Sequence, residues 1–415
     1  MDNHLPAADP SNFLVRILVA SPFLPHADAG HGGGVYLHAL VTSLAAQAEV
    51  DLVSFATRSE LRDRPTLPDG LTSVRLIERA EIRELRGTAR LRQKGIMLRR
   101  WAQGRLPVVV AKFRSRAMAR ALREAVRAAP RTPDAALVEM DLMAQYLPCF
   151  GAVPTILTDH EAGHPVPAAI GPRGIGLRRD ALLWEAYVER NYRLAAQLQA
   201  LTAEDAATLE QRFARPVHVR PPLVHLPAHP VEPSEAPPRI LFLGDYRHAP
   251  NPEAAREVAL RVLPRIREQL PDAELWLAGP NPTPFVAALA QAPGVRVHGF
   301  VKDLGSLFGQ VRALVAPVFS GGGSRIKVLT ALAHGLPVIS NELGLRGITA
   351  EAPAVGRGET PQQLCDAVLP LLASNANAGR AGRAARAWAE DQLAAGRVAA
   401  DQIATVAALR AAPPP

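Results

Sequence analysis

The chain alternates short apolar runs with longer stretches in which apolar residues recur at helical spacing. VRILVA at 15–20 has the length and composition of a strand buried in a parallel sheet. A loop over 21–34 closes on three glycines and leads into VYLHALVTSLAAQ, where the apolar positions keep the helical period. VDLVSFA at 50–56 is the next strand, so the chain opens as a strand–helix–strand unit. AALV at 135–138, PTILTD at 154–159 and LQALTA at 198–203 read as further strands, and 80–130 reads as helices.

Residues 219–238, VRPPLVHLPAHPVEPSEAPP, are rich in proline and lack either period, which marks a linker. After them the rhythm restarts. ILFLG at 240–244, ELWLAG at 274–279, VRVHG at 295–299, ALVAP at 313–317 and LPVIS at 336–340 are short strands separated by helical patterns. This alternation predicts an α/β fold with parallel sheets covered by helices on both faces. The expected organisation is a doubly wound N-terminal domain over 1–218, a linker over 219–238 and a second such domain over 239–390. A C-terminal helix and tail over 391–415 is placed to pack back on the first domain. Two open sheets of this kind direct their strand ends toward a cleft.

Composition fits this division. The 415 residues exceed one ordinary core, and 48% hydrophobic with 21% charged residues is normal for a globular chain. Cys149 and Cys365 are the two cysteines and belong to no CxxC or Cys/His cluster, which gives neither a disulfide framework nor a zinc site and points to a reducing, cytoplasmic location. The first residues lack the basic and apolar regions of a secretory signal, and no apolar run is long enough to span a bilayer. The formal charge of +8 is uneven: residues 79–131 hold sixteen lysines and arginines against three acids. Such a stretch suits nucleic acid, an anionic membrane surface, a phosphorylated substrate, or merely solvated helix faces. Aromatic residues are 5% of the chain, and the basic stretch has no aromatic array for stacking bases, so nucleic acid is not expected as a partner.

The segment with the most chemistry is FSGGGSRIKVLTALAHGLPVIS at 319–340. A strand runs into Gly321, Gly322 and Gly323, Ser324 can cap a helix reaching about Ala333, and Gly335 ends it. Glycines allow close backbone approach, and a helix start favours an anion. Arg325 and Lys327 stand where the helix dipole disfavours cations, a placement that makes sense if a diphosphate neutralises them. The pattern GxxxxGK[ST] is absent, which removes a P-loop ATPase. Neither 30–34 nor 321–323 fits GxGxxG with its downstream acid, which argues against a nicotinamide oxidoreductase.

These residues resemble the donor site of group-1 (family 4) glycosyltransferases of the GT-B fold, two Rossmann-like domains facing a cleft. The resemblance is to the branch with Gly-Gly-Gly-Thr-Arg-x-Lys followed by Glu-Ala-Met-Ala-x-Gly-x-Pro-Val-Val. GVRVHGFVKDLGSLFGQVRALVAPV at 294–318 and FLGDYRHAPNPEAA at 242–255 resemble neighbouring family segments in the right order. Thr330 stands where the family has a ribose-holding glutamate and offers one hydroxyl instead of a carboxylate. Gly322 stands at the other glutamate of the family's pair.

The resemblance implies transfer of a sugar from a nucleoside diphosphate sugar to a hydroxyl of a glycan, lipid-linked or small-molecule acceptor, with retention. It belongs to glycan or cell-envelope polysaccharide synthesis, with no cofactor and no metal. Arg325, Lys327 and the backbone of 321–324 would stabilise the leaving diphosphate. Gly244 belongs to the donor side, the backbone near Phe300 and Val301 would hold the base, and Glu342 with the loop Asn341–Gly347 would border the donor. In the N-terminal half, Pro25 and the loop with Gly32, Gly33 and Gly34 resemble the family loop that approaches the donor. TDHEAGH at 158–164 resembles the loop bearing a sugar-contacting histidine, taken as His160, with Asp159, Glu161 and His164 as nearby alternatives and Asp159 and Glu161 on the acceptor side. Glu139 falls near an acceptor-side loop, with plain surface as its alternative. Thr202 and Asp205 match a turn that is read as structural capping. The basic stretch over 80–130 suits peripheral docking on an anionic membrane. The alternative to an enzyme is a non-catalytic GT-B protein that binds a nucleotide or glycan or acts as a scaffold, motivated by Thr330.

Overall fold

Six consecutive residues of the first strand, RILVAS, are buried, as expected of a parallel strand covered on both faces. The computed structural model describes residues 15–27, 29, 31–79, 87–103, 106–127, 131–162, 175–248, 250–320 and 325–411. Its strands are β1 (Arg16–Ser21), β2 (Glu49–Ala56), β3 (Ser73–Glu78), β4 (Ala135–Glu139), β5 (Thr155–Asp159), β6 (Gln197–Ala200) and β7 (Val217–Val219) in the first half. The second half has β8 (Arg239–Leu243), β9 (Glu274–Ala278), β10 (Val295–Gly299), β11 (Ala313–Val315), β12 (Val338–Ser340) and β13 (Val355–Arg357).

The first sheet has the order β3-β2-β1-β4-β5-β6-β7 and the second β10-β9-β8-β11-β12-β13. Every strand pairing is parallel. In each sheet the winding reverses beside the first strand, between β1 and β4 and between β8 and β11. The crevice beyond the C-terminal ends of such a strand pair is where open α/β sheets take ligands. Helices cover both faces and supply the core, with Tyr36, Tyr187, Phe55 and Phe150 fully buried in the first half and Phe242, Tyr246 and Phe308 in the second.

The contacts divide the chain into two units. Unit 1 is 1–27, 37–221 and 395–415; unit 2 is 28–36 and 222–394. The proline-rich stretch differs from a free linker. It holds no helix or strand beyond Val219, yet Leu223, Val224 and Ala236 are buried, and the Val231 amide donates to the His334 carbonyl at 2.7 Å. The strand expected over 198–203 stops at Ala200, because Thr202 turns the chain into the helix Ala203–Phe213. Its Oγ1 accepts the Asp205 amide at 3.1 Å and donates to the Asp205 carboxylate at 2.9 Å. Among the described residues no helix is long and apolar enough to cross a membrane.

Candidate active site

In unit 2 the site begins where β8 ends. Asn251, in the helix Pro250–Glu257, folds back so that its Nδ2 donates to the Asp245 carbonyl at 2.8 Å. Gly244 is required for this approach: a Cβ there would lie 2.7 Å from the Asn251 Cγ. Across the switch point, Lys327 donates from Nζ to the Asn251 Oδ1 at 2.9 Å and lies 4.8 Å from the centre of the Phe242 ring. Burial, with the Arg325 charge added to it, pushes Lys327 down to about 7. His248 is also held below its ordinary value by burial and then by Lys327.

Arg325 stands at the N-cap of the helix Ile326–Ala333 and makes no side-chain cap. Its guanidinium turns to the Leu343 carbonyl, donating from Nε at 3.0 Å and from Nη2 at 2.7 Å. Gly321, Gly322, Gly323 and Ser324 themselves lie outside the described residues. Thr330 is buried in the second turn of this helix, and its carbonyl is bonded by the His334 amide and ring. Asn341 fixes the chain after β11, accepting the Val318 amide at 2.9 Å and donating to the Val318 carbonyl at 2.7 Å. Phe300, just past β10, is exposed and Val301 half-buried. The Glu342 side chain is exposed, with Arg357 at 3.8 Å.

Arg325 and Lys327, the second held at about 7, thus meet at the start of the helix Ile326–Ala333. Charge of one sign gathered beside such a crevice is an arrangement that an anion would neutralise. Gly32 belongs to unit 2 by its contacts, and a Cβ there would come within 3.1 Å of the Ile326 side chain. Gly33 and Gly34 follow in the first turn of the helix Gly32–Ala45, where the Gly34 amide donates to His31 Nδ1 at 3.2 Å.

In unit 1 the sequence-derived residues gather at the C-terminal ends of β4 and β5. His160 follows β5, and its Nε2 lies 3.2 Å from the Glu139 Oε2. Glu139, the last residue of β4, is fully buried, so it is neither plain surface nor open to an acceptor. Arg220 Nη2 donates to both its oxygens, at 2.7 and 2.8 Å. Burial alone would raise Glu139, but Arg220 and His160 hold it down at about 2. Asp159 is likewise inside, accepting the Tyr192 hydroxyl at 2.5 Å and the Glu161 amide at 2.8 Å. Burial raises Asp159, and it raises Asp141 further together with the charges of Asp159 and Glu161. Glu161 is half-buried, and His164 lies outside the described residues. Sequence reasoning did not find Asn251 or Arg220. Asn251 was within reach, as the polar residue after proline in the quoted APNPEAA segment.

A separate cavity of about 360 Å³ in unit 1 is lined by Arg123, Arg127, Cys149, Phe150 and Pro154 among others, and none of these candidates borders it. Among the described residues no group of three or more His, Cys, Asp or Glu is placed to hold a metal.

Two parallel Rossmann-like sheets with this site define the GT-B fold, as solved structures confirm. Residues 237–374, within unit 2, match the model of the family described as glycosyl transferases group 1. Sucrose-phosphate synthase from Thermosynechococcus elongatus superposes with a TM-score of 0.64 at 17% identity, over 96% of this chain and 100% of that one. Anabaena HepE, solved in complex with UDP and glucose, gives 0.61 at 12% identity over 95% and 100%. WaaG, a glycosyltransferase involved in lipopolysaccharide biosynthesis, gives 0.60 at 14% identity over 94% and 99%. No curated protein matches the chain by sequence.

Proposed function

We propose that the chain is a glycosyltransferase that moves a sugar from a nucleoside diphosphate sugar to an acceptor hydroxyl, with retention, in glycan or cell-envelope polysaccharide synthesis. The observation that carries this reading is the pair Arg325 and Lys327 at the start of the helix Ile326–Ala333, with Lys327 pushed down to about 7. A leaving diphosphate brings the negative charge that such a pair lacks, and fixed cations stabilise it as the glycosidic bond breaks. The chain's own cations do this work without a metal or cofactor. Gly244 and the backbone at Phe300 and Val301 border the nucleotide, the hydroxyl of Thr330 meets the ribose, and His160 contacts the transferred sugar. The complex of HepE with UDP and glucose supports the donor class.

A thermal-shift series with UDP, GDP, ADP and dTDP and their sugar conjugates tests the reading on wild type, Arg325→Ala and Lys327→Met. A ligand at a hundred times its Kd adds about 2.7 kcal/mol to stability. One base is expected to shift wild type, with the shift reduced in both variants. No shift with any nucleotide would favour the scaffold reading, with Thr330 as its cause.

The acceptor belongs, in the same reading, to a cytoplasmic membrane face. The helix Gly87–Ala102 exposes Leu91 and Leu98, 68% and 64% accessible and one heptad apart, among Arg90, Arg92, Lys94 and Arg99. Apolar side chains flanked by cations fit an anionic lipid surface carrying a lipid-linked acceptor. Binding to phosphatidylglycerol vesicles should weaken with salt and with Leu91→Ser/Leu98→Ser; no binding at low salt removes the membrane.

A further inference from the structure

The last helix of the chain, Ala395–Ala411, belongs to unit 1. It is tied there at three points. Gln47 Nε2 donates to the Gly396 carbonyl at 3.1 Å, Arg220 Nη1 donates to the Gln402 Oε1 at 3.0 Å, and Arg410 Nε lies 3.4 Å from Asp134. Asp134 and Glu139 bracket β4, so the helix runs along that strand, and Gln402 stands at the end where His160 lies. Gln402 is 2% exposed and Arg220 4%. A buried glutamine needs a partner for its carbonyl, and here that partner is a guanidinium.

The connections continue inward without a break. Arg220 is fixed by its backbone amide, which donates to the Ala200 carbonyl at 2.9 Å. Its guanidinium holds Glu139, and Glu139 faces Nε2 of His160. An ionised carboxylate only accepts hydrogen bonds, so the ring nitrogen facing it must carry the proton. Which nitrogen of His160 is protonated, and how the ring is turned, are therefore decided by a carboxylate whose own position depends on an arginine held by the final helix. A carboxylate that orients a histidine in this way is a general device for setting its tautomer.

We propose that Arg220, clamped by Gln402 of the C-terminal helix, is a positioning residue that acts through Glu139 to fix the ring orientation and tautomer of His160. The inference rests on the reading above only for what His160 then does to the sugar.

The test uses the full chain with Gln402→Met, which keeps the side-chain length but loses the acceptor, and Gln402→Glu, which restores one. Nitrogen-15 spectra of the histidines report the tautomer directly. Wild type is expected to show the Nε2-protonated form of His160, the Met variant a mixture of both tautomers, and the Glu variant the wild-type form. With an identified donor, kcat should fall about tenfold in the Met variant at unchanged donor KM and recover in the Glu variant. A wild-type tautomer in the Met variant overturns the proposal, whatever its activity. So does a failure of the Glu variant to restore the tautomer. Spectra that respond as expected in a protein that transfers no sugar would leave the positioning role standing and remove the glycosyltransferase reading instead.

Discussion

Lys327 meets Asn251 through a single hydrogen bond of 2.9 Å, and among the described residues no carboxylate pairs with it. A half-buried ammonium beside a second cation is costly, and the molecule answers by loosening its proton.

A bound diphosphate should return that proton. At pH 8 Lys327, at about 7, is mostly neutral, and a neighbouring dianion favours the charged form. Calorimetric titration with the best-binding nucleoside diphosphate, in two buffers of different ionisation enthalpy, should show uptake of roughly half to one proton, and Lys327→Met should abolish it. Equal heats in both buffers would separate the ammonium from the phosphates. Stability of the free protein follows the same shift. Between about 7 and 10.5 the unfolded chain holds the extra proton, so stability rises with pH across that window. The rise is at most ~5 kcal/mol, less to the extent that water reaches the half-buried side chain, and it should vanish in Lys327→Met.

Asp141 carries a penalty of opposite sense. Burial, Asp159 and Glu161 raise it well above 3.8, so the folded protein keeps a proton that the unfolded chain releases. Stability is therefore lost as pH rises from about 4 through the folded value, and the full penalty is in force above it. Asp141→Asn stays neutral and can still accept the Leu142 amide, now held at 2.9 Å. Its Tm should exceed that of wild type at pH 8 and approach it near pH 4. A difference independent of pH would assign the effect to something other than the charge.

Two glycines should respond in opposite directions. Gly279 has φ +133°, and a Cβ there would lie 2.0 Å from the Gly244 carbonyl oxygen, so Gly279→Ala should cost more than about 3 kcal/mol in urea unfolding. Gly95, within the helix Gly87–Ala102, has nothing within 4 Å of its added Cβ, and Gly95→Ala should gain roughly 0.5–1 kcal/mol. A tolerated Gly279→Ala would mean that the β8 and β9 ends can part.

Every strand that lies inside a sheet was read from the sequence, as was one edge strand, β10, whose VRVHG alternates apolar and polar residues. β3, β7 and β13 escaped, and all three are edge strands. Their burial is partial, as in SVRLIE of β3, so they lack the unbroken apolar run that marks a central parallel strand. The helix start at 325–327 was legible because glycines and misplaced cations sit side by side in sequence. The support of His160 was not. Glu139 and Arg220 are 81 residues apart, Arg220 and Gln402 are 182 apart, and no local pattern joins them. The proline-rich stretch misled in a smaller way, since absence of period reports absence of regular structure and says nothing about burial of Leu223 and Val224.

Unit 1 takes its final helix from beyond unit 2, and this orders events on the ribosome. Residues 222–394 must all be made before Gln402 exists to meet Arg220. At about 5–20 residues per second, the delay is on the order of ten seconds or more. Until then Arg220 lacks the acceptor that Gln402 supplies. Unit 1 is thus completed only by residues that follow unit 2 along the chain.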